Sequence, residues 1–370
     1  MTKVAFGITC KNSSLTIKYV LSLLLMQEGI FERLFIIVDG GSSDDTLKIV
    51  QEILSKSNVQ YIVESGSYTI PEGRNKILDI ALKENCDYVL FVDADVVFRF
   101  RNLVDMMLSF ASDLGENAII HVSYNFLHFD KYQDAEKFMN NLLCENKYLK
   151  KQEVSLRPVA WSSLGFVLIP RKATVIRFDN SMTFTEDIYY GLKIWENDFC
   201  LYRLAIKEEI AFDINVGYQS DIYFSMGLKD YLKGVKKKIV ARVYRDFDVS
   251  FTRFIKSFIK NDGKTLYHIF YTVLMIYSAL TNKSLLLWIS LALLFFFFLL
   301  QLKKGRNFVK VLTAWLKFFI FSLLLITLLL PIYCRYRYKF KVIHQQIASK
   351  PIIENKNDND LPAQKVINSC

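Results

Sequence analysis

The chain has 370 residues and six cysteines, and it contains no Cys-x-x-Cys pair. Cys10, Cys86, Cys144, Cys200, Cys334 and Cys370 are scattered, which argues against a zinc site or a disulfide framework and fits a reducing compartment for the soluble part. The start, Met1-Thr-Lys-Val-Ala-Phe-Gly-Ile-Thr9, lacks the charged head, apolar middle and small-residue cleavage site of a secretory signal, and enters a strand-like pattern at once. No repeat recurs at a solenoid period. The net charge of +10 is compatible with nucleic acid by arithmetic alone. The basic residues, however, concentrate just before and between the long apolar runs, so the expected partner is an anionic membrane surface and not nucleic acid.

The composition is split along the chain. Residues 1–225 alternate short apolar runs with amphipathic stretches. Val4–Ile8 reads as a strand, Ser14–Gln27 as a helix with Leu15, Val20, Leu23 and Leu24 inward, and Leu34–Val38 as a second buried strand. A helix to about Ser55, a strand at Gln60–Val63 and a helix opened by Pro71 follow. This alternation predicts an α/β fold with a mostly parallel sheet covered by helices. Further on, Leu103–Leu114 and residues 131–150 read as helices, and Ala118–Tyr124, Leu164–Ile169 and Phe199–Ile206 as strands. Thr185 is expected to cap a helix running to about Asn197.

Residues 226–264 carry dense Lys and Arg interleaved with Tyr231, Tyr244, Phe251, Phe254 and Phe258, as expected of amphipathic helices lying in a membrane interface. Residues 265–333 hold three apolar runs, at about 265–281, 285–302 and 311–333. The second and third approach the roughly twenty residues needed to span hydrocarbon, whereas the first is shorter and contains His268. Loop charge puts the catalytic domain on the cytosolic side, with three spans expected over two. Residues 334–370 form a polar tail, and no ordered structure is expected after Lys350.

The chemistry concentrates at the ends of the expected strands. Tyr88-Val-Leu-Phe-Val-Asp93-Ala-Asp95 is a buried strand ending in two carboxylates. Carboxylates there need a cation, a hydrogen-bond network or water. In an open α/β sheet they face the crevice where ligands bind, well placed to hold Mg²⁺ or Mn²⁺ against a diphosphate. Three further groups occupy equivalent positions: Ile8-Thr9-Cys-Lys-Asn12, Val38-Asp39-Gly-Gly-Ser42-Ser-Asp44-Asp-Thr46, and Gly73-Arg74-Asn75 at a helix start. Gly40 and Gly41 let backbone approach a ligand, and Arg74 can offer positive charge to a diphosphate.

This set resembles the family 2 glycosyltransferases of the GT-A fold, over about residues 4–215. The resemblance implies a nucleotide-diphospho-sugar donor, a Mg²⁺ or Mn²⁺ ion held chiefly by Asp95, contacts of Asp39 with the nucleobase and of Asp93 with the ribose, and inversion at the anomeric carbon. Glu186-Asp187 resembles the family's Glu-Asp motif, whose aspartate is the catalytic base. A sugar hydroxyl is a poor nucleophile, and a positioned carboxylate can take its proton. The family's usual proline in the first strand is Thr9 here, and Trp161 could stack on an acceptor sugar.

The expectation is a membrane-bound inverting glycosyltransferase acting at the cytosolic face on a hydroxyl of a lipid-linked acceptor. A polyprenyl-phosphate glycosyltransferase is the alternative, although its ionised acceptor needs no base. A non-catalytic nucleotide-sugar-binding membrane protein is the alternative of another class. The Gln-x-x-Arg-Trp signature of processive synthases is missing.

Overall fold

A computed structural model describes residues 1–182, 186–206, 208–216, 339–350 and 352–354, together with the single positions 237, 240, 241, 244 and 336. The chain divides into two compact units, one comprising Met1–Asn180, Phe184–Tyr218 and Ile343–Cys370, the other Ser181–Thr183 and Gln219–Val342.

The first unit opens as the apolar periodicity predicts: β1 (Lys3–Cys10), α1 (Ile17–Leu25), β2 (Glu32–Asp39), α2 (Thr46–Ser55), β3 (Gln60–Ser65), α3 (Ile70–Lys83) and β4 (Tyr88–Val92). The helix α3 starts where Pro71 suggested, and Thr69 and Glu72 close a reciprocal capping box over its first turn. Then come β5 (Val96–Phe98), α4 (Leu103–Leu114), β6 (Ala118–Val122), β7 (Tyr124–Phe129), α5 (Tyr132–Cys144), β8 (Ser155–Pro158), β9 (Phe166–Pro170), α6 (Glu186–Glu196), β10 (Cys200–Ala205) and β11 (Ala211–Val216). The strand β12 (Ile353–Glu354) follows a helix over residues 339–349.

Among the described residues the main sheet has nine strands in the order β12-β8-β10-β6-β9-β4-β1-β2-β3. Only β9 and β8 run against the rest, so the sheet is mostly parallel. A second sheet of three strands, β5-β11-β7, stands beside it. The apolar faces of α1, α3, α4 and α6 pack on these strands, burying Phe6, Phe35, Phe91, Phe98, Phe110, Phe166 and Phe212. The chain reverses direction of winding between β1 and β4, the place where open sheets of this kind bind ligands outside their strand ends.

Four expectations are corrected. Leu15 is exposed, because α1 begins only at Ile17 and the preceding loop is given over to polar ties. The run Ala118–Tyr124 is two strands in different sheets, and the helix within 131–150 stops at Cys144. The tail after Lys350 is not wholly without structure: Ile353 and Glu354 pair antiparallel with Leu156 and Ser155, covering the edge of β8. The Thr185 cap, nearly all of the basic stretch 226–264 and the apolar runs of 265–333 lie outside the described residues. Among the described residues no helix is long and apolar enough to cross a membrane. Within the second unit, the Tyr244 ring meets Phe340 edge-on at 5.3 Å, and Tyr336 stacks on Phe340 at 5.4 Å.

His121 on β6 is fully buried, and burial together with the nearby Arg203 pushes its pKa down to about 3 from an ordinary 6.5. The folded chain therefore holds it neutral while the unfolded chain protonates it, so stability is lost as pH falls from about 6.5 towards 3. We expect His121→Leu to raise the melting temperature, by more at pH 5 than at pH 8. An equal shift at both values would exclude the titration as the cause.

Candidate functional site

The loops after β1 and β2 are built as one piece. The Asn12 N–H donates to Ser42 Oγ at 2.9 Å, and Asn12 Oδ1 accepts from the Ser43 N–H at 2.8 Å. Asn12 does this with a positive φ of 52°, a conformation that asparagine tolerates better than most residues. Asp44 accepts from the Ser14 N–H at 3.1 Å and from the Thr46 N–H at 3.1 Å. Burial works against its charge, but these bonds and the Thr46 hydroxyl outweigh it and hold the carboxyl down at about 2. Asn12, Ser42 and Asp44 are thus fasteners of the two loops in the free protein.

Asp39 is fully buried at the end of β2. Its carboxylate accepts from the Gly41 N–H at 3.1 Å, the Ser42 N–H at 3.0 Å and the Ser65 hydroxyl at 2.9 Å, and also from the Ser42 hydroxyl. Its expected contact with a nucleobase needs one of the two serine hydroxyls to turn away. Thr9 keeps a place in the strand ladder opposite Val38 that a proline could not fill as a donor. A Cβ on Gly73 would stand 2.9 Å from the Thr9 methyl, so the missing side chain lets α3 lie close against β1.

That close approach delivers Arg74. Its guanidinium is buried and reaches Asp93 Oδ1 at 3.0 Å and Glu186 Oε1 at 3.4 Å. Phe178 lies 5.5 Å from it, face-on, and Phe178 is stacked on Tyr190 at 4.1 Å. The neighbouring Asn75 fixes this cover: its amide donates to the Phe178 carbonyl at 3.0 Å, and its oxygen accepts from the Phe178 N–H at 2.9 Å. Burial alone would lower the Arg74 pKa, but Asp93 and Glu186 more than offset it, so the pKa is raised. In the free protein the Arg74 guanidinium joins the end of β4 to the start of α6.

Asp95 and Asp187 lie on either side of this junction. Burial pushes the Asp95 carboxyl up, and Asp213 and Asp93 push it further. Burial also pushes Asp187 up to about 7, with Glu186 adding to the effect. Asp187 Oδ1 accepts from the Ile188 N–H at 2.8 Å at the first turn of α6. Trp161 is half-buried, and its backbone runs against α6 at Gly191. This brings the loop 159–165 alongside the helix that carries Asp187.

Two residues here were not singled out in the sequence. Asp213 on β11 is opposite Val96 of β5, and the Ile214 N–H donates to the Asp95 carbonyl at 2.9 Å. Burial and then Asp93 push Asp213 up to about 6, while the Asn215 amide donates to it at 2.7 Å. Its one sequence signal is a carboxylate in the otherwise apolar strand Ala-Phe-Asp-Ile. Tyr124, the first residue of β7, is the other. Burial, and then the neighbouring carboxylates, raise the proton affinity of Asp95 and Asp213, and hard oxygen donors of this kind fit Mg²⁺ or Mn²⁺. Among the described residues, no group of three or more His, Cys, Asp or Glu side chains is arranged to hold a metal by itself.

Removing one partner of a buried ion pair leaves the other charge uncompensated, at a cost on the order of 3 kcal/mol or more. Arg74→Met should therefore lower the melting temperature sharply. Adding Asp93→Asn and Glu186→Gln should restore much of the loss; no recovery in the triple variant would show that the guanidinium acts by packing alone.

Residues 6–184 match the family described as Glycosyl transferase family 2. Among solved structures, the chain is similar to S. aureus TarS 1–349 in complex with UDP, at 16% identity over 72% of this chain and 75% of that one, with a TM-score of 0.49. For the same fragment in complex with UDP-GlcNAc the values are 16%, 72%, 76% and 0.49. For GalNAc-T7 with UDP, GalNAc and Mn2+ they are 14%, 68%, 51% and 0.44. No curated protein matches the sequence. The matched span begins within the first strand and ends at the threshold of α6, so residues 6–184 form a glycosyl transferase family 2 domain.

Proposed function

We propose that this glycosyltransferase moves one sugar from a nucleotide-diphospho-sugar to a hydroxyl of a lipid-linked acceptor at the cytosolic face of the cell membrane, with inversion. The observation that carries the reading is the single buried Arg74 that ties Asp93 to Glu186. It fixes the spacing between the strand-end carboxylates that face the donor and the helix start that carries the base.

In the proposed step the acceptor hydroxyl oxygen attacks the anomeric carbon, the bond from that carbon to the diphosphate oxygen breaks, and the hydroxyl proton passes to the Asp187 carboxylate. A single displacement of this kind inverts the centre. Asp187 suits the role because a pKa of about 7 poises it to accept a proton near neutrality. Asp95 would be the principal ligand of a Mg²⁺ or Mn²⁺ ion, with Asp93 beside it. Such an ion neutralises charge on the departing diphosphate. Asp39, Ser42 and Asn12 shape the nucleotide side, and Trp161 lies where an acceptor sugar could stack.

The basic stretch 226–264 and the apolar runs of 265–333 support membrane attachment. The chain on both sides of those runs joins the same nine-stranded sheet, through β12 on β8. That pairing supports an even number of crossings, two instead of three. A variant retaining Cys370 as its one cysteine should then resist a membrane-impermeant maleimide in sealed cells and react after permeabilisation. Labelling in sealed cells would mean an odd number.

Removal of a working general base lowers turnover by about a hundredfold to ten-thousandfold. We therefore expect Asp187→Asn to reduce transfer on that scale while nucleoside diphosphate and Mn²⁺ still bind. The wild-type kcat/KM for transfer should fall as pH drops through about 7, because protonated Asp187 cannot accept a proton. Near-native transfer by Asp187→Asn would instead favour an acceptor that arrives ionised, a polyprenyl phosphate.

A further inference from the structure

Tyr124 has no part in the mechanism above, yet it is directed at its centre. Gly165 lies between β7 and the end of β4, and its carbonyl accepts from the Asp93 N–H at 3.0 Å. A Cβ at Gly165 would stand 2.7 Å from the Tyr124 Oη and 2.9 Å from Asp93 Oδ2. The phenol and the carboxylate therefore converge on one small space that only a glycine leaves open. The hydroxyl also meets the Ser163 side chain and the charges of Asp213 and Asp187. The Tyr124 ring meets the exposed Phe126 ring edge-on at 5.6 Å.

A neutral phenol is protonated at neutral pH and can donate one hydrogen bond. Set among carboxylates, it can donate to a ligand beside Asp93 without adding charge. The interval it faces, between Asp93 on the donor side and Asp187 on the acceptor side, is where a transferred sugar must lie for a hydroxyl to reach its anomeric carbon.

We propose that the Tyr124 hydroxyl, framed by Gly165 and Ser163, hydrogen-bonds a hydroxyl of the sugar being transferred and is a specificity-determining residue for that sugar. The inference rests on the glycosyltransferase reading and extends it to a residue on the second sheet. A site built to bond a substrate hydroxyl discriminates strongly against sugars that place that hydroxyl elsewhere.

The test compares wild type, Tyr124→Phe and Gly165→Ala in membranes, using UDP-glucose, UDP-galactose, UDP-N-acetylglucosamine and GDP-mannose as donors and UDP and GDP as sugarless competitors. Tyr124→Phe should lower kcat/KM for the preferred donor about tenfold and narrow its lead over the others. The inhibition constant of the matching nucleoside diphosphate should stay within about twofold, since it has no sugar to lose contact with. Gly165→Ala, whose methyl presses on both Tyr124 and Asp93, should impair the same donor and weaken the nucleoside diphosphate as well, because Asp93 is the expected ribose contact. Unchanged kcat/KM and ranking in Tyr124→Phe, with wild type active, would overturn this inference alone. So would a loss matched by equal weakening of the nucleoside diphosphate. A wild type that turns over none of the donors would instead overturn the glycosyltransferase reading, and this inference with it.

Discussion

The architecture depends on a buried guanidinium that cannot give up its proton. Arginine stays charged in any protein interior, so the chain around Arg74 has to supply negative charge and a polarisable cover. Asp93 and Glu186 supply the first, and Phe178 the second. These residues come from β4, the start of α6 and the segment between β9 and α6. One cation therefore sets the distance between elements that are far apart in sequence. The arrangement also explains why Asn75 follows Arg74: the asparagine pins the aromatic ring that seals the arginine from water.

The two sheets divide the work. The parallel half of the large sheet presents Asn12, Asp39 and Asp93 at the ends of successive strands. The small sheet supplies Asp213 and Tyr124 from the flank, and it is joined to the large one through the three residues Asp93, Ala94 and Asp95, which pass from β4 into β5, and through Ser123 between β6 and β7. Asp95 consequently sits at the seam, where its backbone carbonyl is held by β11. Burial at that seam, with Asp213 and Asp93 beside it, accounts for the raised proton affinity of the side chain and suits a group expected to bind an ion.

What was legible in the sequence was local. A buried strand announces itself by five apolar residues, and carboxylates at its end stand out against them, so Asp39, Asp93 and Asp95 could be found without coordinates. The Glu186-Asp187 pair was visible because it opens an amphipathic helix. Asp213 and Tyr124 were hidden because nothing near them in sequence marks their meeting. They join the cluster only through the pairing of β5, β11 and β7, and the break between β6 and β7 at Ser123 falls inside what reads as one continuous strand. The pairing of Arg74 was hidden for a similar reason: its carboxylate partners lie 19 and 112 residues away.

The last described strand has a consequence for biosynthesis. A ribosome releases β8 early, as an antiparallel neighbour of β10 with its other side unpaired, and delivers Ile353–Glu354 only after every apolar run has been made. Until then the sheet carries an open edge, the feature through which nascent chains stick to one another. Completion of the catalytic fold is thereby delayed until after synthesis of the segments expected to enter the bilayer. The sheet is closed only by residues that have come back from beyond those segments.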